Sequence, residues 1–445
     1  MFGAPLPKVH QTRRHWIAYA VVFATAAASY LLWILAMWRR DELHDSAWIY
    51  LAKLGSHGAL TLMCWAFILS TRFRPVEWLF GGLDKVYRGH RVVGEASFFL
   101  ILLHPVFLAV ARADEAGGFP RYLWFSGDWA RNTGIIALAI FIVLVVLSIY
   151  WKIAYHRWKR THDFFGVLLV IIIAHAVIAR GEIVRYPELA VWHGAWVTVA
   201  LAAYIYIRGL YRFAGPQYDF VTAVAKEVGD HITEVRLEPA GRPMEHEPGQ
   251  FIYISFDSDA VSEEPHPFSI SSPPGADLMR LSIKRLGDWT QHVERIGRGE
   301  RARVWGPYGH FSEILVKRPE MPAVLIGGGI GITPMLSIAG SDIPARREAP
   351  TSLIYAVPDE ASRVYHEELR ARAGAVPGLG YHSHLSDRQG FIDRSYLEGI
   401  LDHPLPEHLF LVCGPGAMMR AMRNLLQNAG VPATHVIMED FAIRD

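Results

Sequence analysis

The chain has 445 residues, 51% of them hydrophobic, and a formal net charge of +1. That length suits two or three domains, and the near-neutral balance leaves no electrostatic footprint for nucleic acid. Two cysteines, Cys64 and Cys413, exclude both a disulfide framework and a cysteine-ligated iron–sulfur or zinc site.

Apolar residues crowd the first half. The first run, Trp16–Trp38, is too long for a signal-peptide core and lacks a small-residue cleavage site, so it is expected to persist as a helix. About 20 residues cover the hydrocarbon core of a bilayer. Six charge-poor stretches meet that length: 16–38, 47–70, 92–112, 133–153, 164–180 and 189–208. Their loops alternate in charge. One set holds Arg13, Arg14, Arg72, Arg74, Lys85, Arg88, Arg91, Lys152, Arg157, Lys159, Arg160, Arg208 and Arg212. The opposite set holds Asp41, Glu42, Asp45, Asp114, Glu115 and Asp128. Positive loops stay inside, so both termini and the whole second half are expected in the cytoplasm. The chain therefore reads as an integral membrane protein.

Ionisable residues inside spans are costly and mark function by default. The third span carries His90 and His104, and the fifth carries His162 and His175. Steps of fourteen and thirteen residues rise about 21 and 20 Å along a helix, which puts one histidine of each span near each membrane face. Two imidazoles from facing helices form a six-coordinate haem site. The spacing points to two stacked b haems, His90 with His162 inside and His104 with His175 outside. A thirteen-residue step misses the same helix face by about 140°, so the fifth helix is expected to be irregular near His162. The other reading of these four residues is a set of polar core histidines bonded across helices. His57 and His193, in spans two and six, read as a core polar group and a near-exterior group.

Near Gly215-Pro216 the apolar helices stop and alternation begins. Phe220–Val228, His231–Glu238, Gln250–Phe256 and Leu281–Arg285 suit a small antiparallel barrel. Within it, His266, Pro267, Phe268, Ser269, Ile270 and Ser272 set a flat aromatic beside hydroxyls and a donor, a combination that can stack on a flavin ring and bond its edge, though a proline-rich loop after a strand has the same look. Lys284, Gly287, Asp288, Trp289 and Thr290 follow, a strand-to-helix turn with cations suited to a pyrophosphate. A buried strand then enters Gly327, Gly328, Gly329, Ile330, Gly331, Thr333 and Pro334, where backbone amides approach a dinucleotide phosphate. Strands at Ser352–Val357 and Leu409–Cys413 alternate with helices, as in a doubly wound α/β domain. The second ends in Cys413, Gly414 and Pro415, another strand edge where ligands collect. Arg363, beside Ser362, and Arg388 are candidates for a 2′-phosphate.

These motifs, in this order and over essentially the whole length, resemble the NADPH oxidase and ferric reductase superfamily. The resemblance implies a six-helix ferric-reductase-type domain with two b haems (1–214), an FAD-binding β-barrel (215–318) and an NAD(P)-binding α/β domain (319–445). It further implies Phe268 near the flavin ring, Ser269 near its N5, and His266 and Lys284 facing the diphosphate. Thr333 and Cys413 would flank the nicotinamide, and Phe441 resembles the aromatic that covers the flavin, with four residues after it. The first span lacks the arginine of the animal oxidases, and no calcium-binding extension precedes it. No obligatory protein partner is therefore expected, and the compact form suggests a bacterial inner membrane. The expected reaction takes electrons from NADPH, or NADH, through FAD and two haems to an exterior acceptor. Oxygen, giving superoxide, is the first choice, with a ferric chelate or a periplasmic redox partner as alternatives. The non-enzymatic alternative is a transporter or proton channel with a regulatory nucleotide domain.

Overall fold

The computed structural model describes residues 11–113, 124–151 and 155–439. The chain divides into two compact units, Met1–Tyr211 and Arg212–Asp445.

Among the described residues of the first unit, six helical spans are long and apolar enough to cross a membrane. They are α1 (Gln11–Trp38), α2 (Ala47–Leu69), α3 (Leu83–Ala111), α4 (Trp129–Ile149), the fifth span, and α7 (Pro187–Ile205). The third and fourth spans start earlier than the hydropathy alone places them. Gly82 precedes one, and Asp128 caps the other by accepting from the Ala130 amide. The outer faces of the spans expose large apolar side chains such as Phe99, Val143, Val170 and Val191, as lipid contact requires. The fifth span is broken, as the thirteen-residue step demands, into α5 (Tyr155–Asp163) and α6 (Phe165–Ile178). Pro105 lies inside α3 without ending it.

Helices α2 and α3 pack with their backbones close together. A Cβ on Gly55 would stand 2.6 Å from the Leu100 carbonyl oxygen and 2.9 Å from the His104 nitrogen. Small residues permit that approach where lipid gives no hydrophobic drive for helix pairing. The Ser97 hydroxyl adds a bond to the Ala59 carbonyl at 2.8 Å.

The second unit begins with six antiparallel strands: β1 (Gln217–Gly229), β2 (Ile232–Pro239), β3 (Phe251–Asp257), β4 (His266–Ser269), β5 (Met279–Lys284) and β6 (Arg301–Tyr308). Their order is β4-β3-β6-β1-β2-β5, and an Ile270–Leu281 bridge joins the two edges into a barrel. Phe220, Val235, Ile254, Ile283 and Trp289 fill its interior.

Five parallel strands follow: β7 (Ala323–Gly328), β8 (Thr351–Val357), β9 (Leu379–Leu385), β10 (Leu409–Cys413) and β11 (Val436–Met438), in the order β11-β10-β7-β8-β9. Alternate side chains of β7 divide between two helix layers. Leu325 packs with Met335 and Leu369 of α8 (Thr333–Gly340) and α9 (His366–Ala375). Val324 and Ile326 pack with Met419 and Met422 of α10 (Gly416–Asn428). Because β8 and β10 flank β7 on opposite sides, the strand order reverses at the carboxyl end of β7, where ligands bind in such sheets.

Candidate functional site

In the transmembrane unit all four span histidines have Nδ1 tied to a neighbouring helix. His90 donates to the Ala66 carbonyl at 2.8 Å and His104 to the Ala52 carbonyl at 3.1 Å, both on α2. His175 donates to the Ala130 carbonyl of α4 at 2.9 Å, with the Thr133 hydroxyl 3.2 Å away. His162 Nδ1 lies 3.1 Å from the Ser148 hydroxyl. A bond from Nδ1–H fixes the tautomer that leaves Nε2 as the metal-binding nitrogen. Ala52 and Ala66 are fourteen residues apart, as are His104 and His90. One antiparallel neighbour thus sets both rings of α3 at two depths.

The two helices also face each other. The His90 and His162 rings lie 5.8 Å apart, and His162 packs between Trp158 and Phe165. Gly134 makes room for His175: a Cβ there would stand 2.8 Å from the ring. Among the described residues no three His, Cys, Asp or Glu converge on a metal ion. Paired imidazoles with fixed Nδ1 suit an iron whose other four ligands come from a porphyrin.

His57 and His193 behave differently. They bond directly to each other, Nδ1 to Nε2 at 3.2 Å, under the Trp33 ring, so no cofactor fits between them.

In the barrel, β4 is His266–Ser269 itself, an edge strand paired to β3. His266 and Phe268 pack on the Trp289 ring at 4.3 and 5.7 Å, which brings the two barrel motifs together. Pro267 and Phe268 are half-buried and Ser269 is buried. Beyond β4, Ile270 makes the closing bridge, and the Ser272 hydroxyl accepts from the Arg280 amide at 3.0 Å. The turn after β5 is held by Thr290, whose hydroxyl accepts from the Leu286 and Gly287 amides at 2.9 and 3.0 Å. Asp288 accepts from the Trp289 amide, and a 3₁₀ helix stands where the sequence suggested an ordinary one. Lys284 pairs with Asp230 at 2.7 Å.

Gly327 and Gly328 end β7, and Gly329–Ile332 turn into α8. A Cβ on Gly331 would strike the Cys413 carbonyl, and one on Gly328 would strike Met418. The glycine loop and Cys413-Gly414-Pro415 therefore abut at the ends of adjacent strands. Gly329, at φ +54°, is half-buried and has open space where a side chain would stand. Ile330 accepts from the Thr333 hydroxyl at 3.0 Å, and Pro334 occupies the first turn of α8.

At the ends of β8 and β9, Arg363 donates to the Ser383 hydroxyl at 3.2 Å and pairs with Glu360. Asp359 accepts from the Ser362 amide, which holds its carboxyl below the usual range. Arg388 is exposed nearby, where the Asp387 amide bonds the Pro358 carbonyl. Phe441 lies outside the described residues.

Sequence reading missed Glu439, buried at 7% exposure, where a Cβ on Gly309 would stand 3.1 Å from its Oε1. Its one signal was a carboxylate between an apolar strand and the chain end. The bonding partners Ala52, Ala66 and Ala130 act through backbone carbonyls, which leave no trace in sequence.

Three family models match in succession: a ferric reductase like transmembrane component over residues 56–173, an FAD-binding domain over 218–316, and an oxidoreductase NAD-binding domain over 325–424. A flavohemoprotein of Bacillus anthracis is 25% identical over 246 residues, 50% of this chain and 60% of its own length. The ferredoxin reductase component of a 3-ketosteroid-9-alpha-monooxygenase from Mycolicibacterium smegmatis is 30% identical over 233 residues, 50% of this chain and 64% of its own. The chain thus spans less than two thirds of the length of these relatives. Among solved structures, a flavohemoglobin from Malassezia yamatoensis with FAD and heme aligns at 22% identity. It covers 78% of this chain and 97% of that one, with a TM-score of 0.49.

Proposed function

We propose that this chain, which has the domain architecture of the ferric reductase and NADPH oxidase superfamily, is a membrane oxidoreductase. It carries electrons from cytoplasmic NADPH through FAD and two b haems to an acceptor on the far side. The observation that carries this is the matched pair of fourteen-residue intervals: Ala66 and Ala52 on α2 against His90 and His104 on α3. Chance core polarity gives no reason for two histidines to meet two carbonyls at the same interval, each keeping Nε2 for a ligand.

The working division is 1–214 for the haem bundle, 215–318 for the flavin barrel and 319–445 for the nucleotide domain. His90 with His162 would hold the inner haem, and His104 with His175 the outer. His266, Phe268 and Ser269 would seat the flavin, with the Thr290-held turn supplying backbone amides toward its diphosphate. A flavin held there would supply the conversion of two-electron nicotinamide chemistry into single-electron transfer. The glycine loop at Gly329 would receive the nucleotide diphosphate, and Thr333 and Cys413 would border the nicotinamide. Arg363 and Arg388 favour a 2′-phosphate, hence NADPH. The loop charges support a cytoplasmic position for both termini.

With both His104 and His175 holding it, the outer haem would supply single electrons to oxygen, giving superoxide. The second reading, reduction of a ferric chelate, is supported by the family model over residues 56–173. Cytochrome c or dye reduction by the purified protein with NADPH tests the acceptor. Sensitivity to superoxide dismutase is expected, and dismutase-resistant reduction of a ferric chelate overturns the oxygen assignment.

A further inference from the structure

The transmembrane unit carries a second polar axis apart from the four span histidines. On α2, Lys53, His57, Thr61 and Trp65 recur at every fourth residue, and on α1 Thr25, Ser29 and Trp33 do the same. Each series forms a stripe along one helix face, and the stripes meet. Trp65 Nε1 donates to the Thr25 hydroxyl at 2.8 Å, the Ser29 and Thr61 hydroxyls bond at 2.7 Å, and the Trp33 ring lies 5.8 Å from His57. Helix α7 adds Trp192, which donates to the Ser29 hydroxyl at 2.7 Å, and His193.

Twelve residues from Lys53 to Trp65 span about 18 Å of depth. At the end where α2 begins, Lys53 pairs with Glu182, and His44 stands 3.7 Å from the same carboxylate; these side chains are 17–34% exposed. One helical turn further in, His57 and His193 are 1% and 2% exposed. The seam lies on the side of α2 away from Ala52, Gly55 and Ala59, which face α3. A titratable pair buried in a span, with ionisable groups leading to one membrane face and, among the described residues of the seam, only hydroxyl and indole groups beyond it, fits a proton-holding site rather than a channel. A His–His hydrogen bond also requires that one facing nitrogen carry a proton and the other lack it.

We propose that the His57–His193 pair takes up one proton from the exterior through the Lys53–Glu182–His44 cluster when an electron reaches the outer haem. This rests on the two-haem reading. The balance is one electron, supplied by NADPH, on the outer iron and one proton on the pair. When the acceptor takes the electron, the proton returns to the exterior or leaves with the reduced acceptor. The ionisable groups around the pair are Lys53 on α2, Glu182 and His44 at the open end, and His104 across α2. Helix α1 presents the Trp33 ring, which does not titrate.

Redox titration of the purified full chain, followed by haem absorbance at a series of pH values, tests the inference. The outer haem midpoint is expected to fall as pH rises, approaching ~59 mV per tenfold change in proton activity, the one-electron value. His57→Leu and His193→Gln, each retaining both haem bands, are expected to flatten that slope. A pH-independent wild-type midpoint overturns the inference, as does an unchanged slope in both variants. So does loss of haem in both, which makes the pair structural. A wild-type protein without haem absorbance instead overturns the two-haem reading itself.

Discussion

At the residue scale, the proposed haem ligation turns on which nitrogen of each imidazole is occupied. The four span histidines were legible because an ionisable group in an apolar run has few structural excuses. Their tautomers were not, because backbone carbonyls and the cradle at Gly134 depend on which helices become neighbours. Gly134→Ala pushes a Cβ against the His175 ring. The expected result is loss of the outer haem's share of absorbance, with affinity falling about 10–100-fold as for other supporting contacts, read by haem titration of the purified variant. At the nucleotide end, Arg363→Ala with Arg388→Ala is expected to lower kcat/KM for NADPH about tenfold or more, ~1.4 kcal/mol per decade, with NADH little affected. Equal losses for both nucleotides would contradict the 2′-phosphate assignment. Burial also lowers the pKa of His246, His382 and His408 in the second unit. In that window the unfolded chain binds more protons, so stability rises with pH. It is complete above about 6.5, the unfolded value, and is lost as pH falls through the folded values. Thermal melts between about pH 7.5 and 5 check the sign.

At the element scale, periodicity and depth carried the reading further than boundaries did. The thirteen-residue step demanded a break in the fifth span, and Phe164 supplies it between α5 and α6. The starts of α3 and α4 were hidden because polar residues such as Lys85, Arg88 and Asn132 extend those helices past their apolar cores. Invisible too was the brace between barrel and nucleotide domain. Arg280 of β5 donates to both Glu368 oxygens of α9 at 2.8 Å, and to the Ser271 carbonyl beside the flavin motif at 3.1 Å. The Ser337 hydroxyl of α8 bonds the Ser272 carbonyl at 2.8 Å. A strand arginine and a helix glutamate 88 residues apart share no local pattern. Arg280→Ala leaves the nearly buried Glu234 without that cation, and is expected to cost about 1.5–3 kcal/mol, the range for bonds to charged groups, in denaturant unfolding of the full chain. An unchanged midpoint would show that the brace contributes nothing to stability.

At the scale of the whole molecule, composition separated a lipid-exposed half from a globular half, and the order of motifs indicated one electron path through both. The fold class, six spans followed by an antiparallel barrel and a parallel sheet, was legible because each class has its own hydrophobic period. The acceptor was not, since the loops expected on the exterior permit oxygen and a ferric chelate alike. The proposed path makes a direct demand: if it holds, flavin, inner haem and outer haem are all reducible from one nucleotide. Anaerobic addition of NADPH to the purified protein is expected to produce the reduced b-haem spectrum. Replacing His104 and His175 is expected to remove about half of that absorbance, the share of one of two haems bound by paired histidines. A protein that binds NADPH and FAD yet shows no haem absorbance, or one whose haem spectrum survives both replacements intact, would contradict the two-haem path.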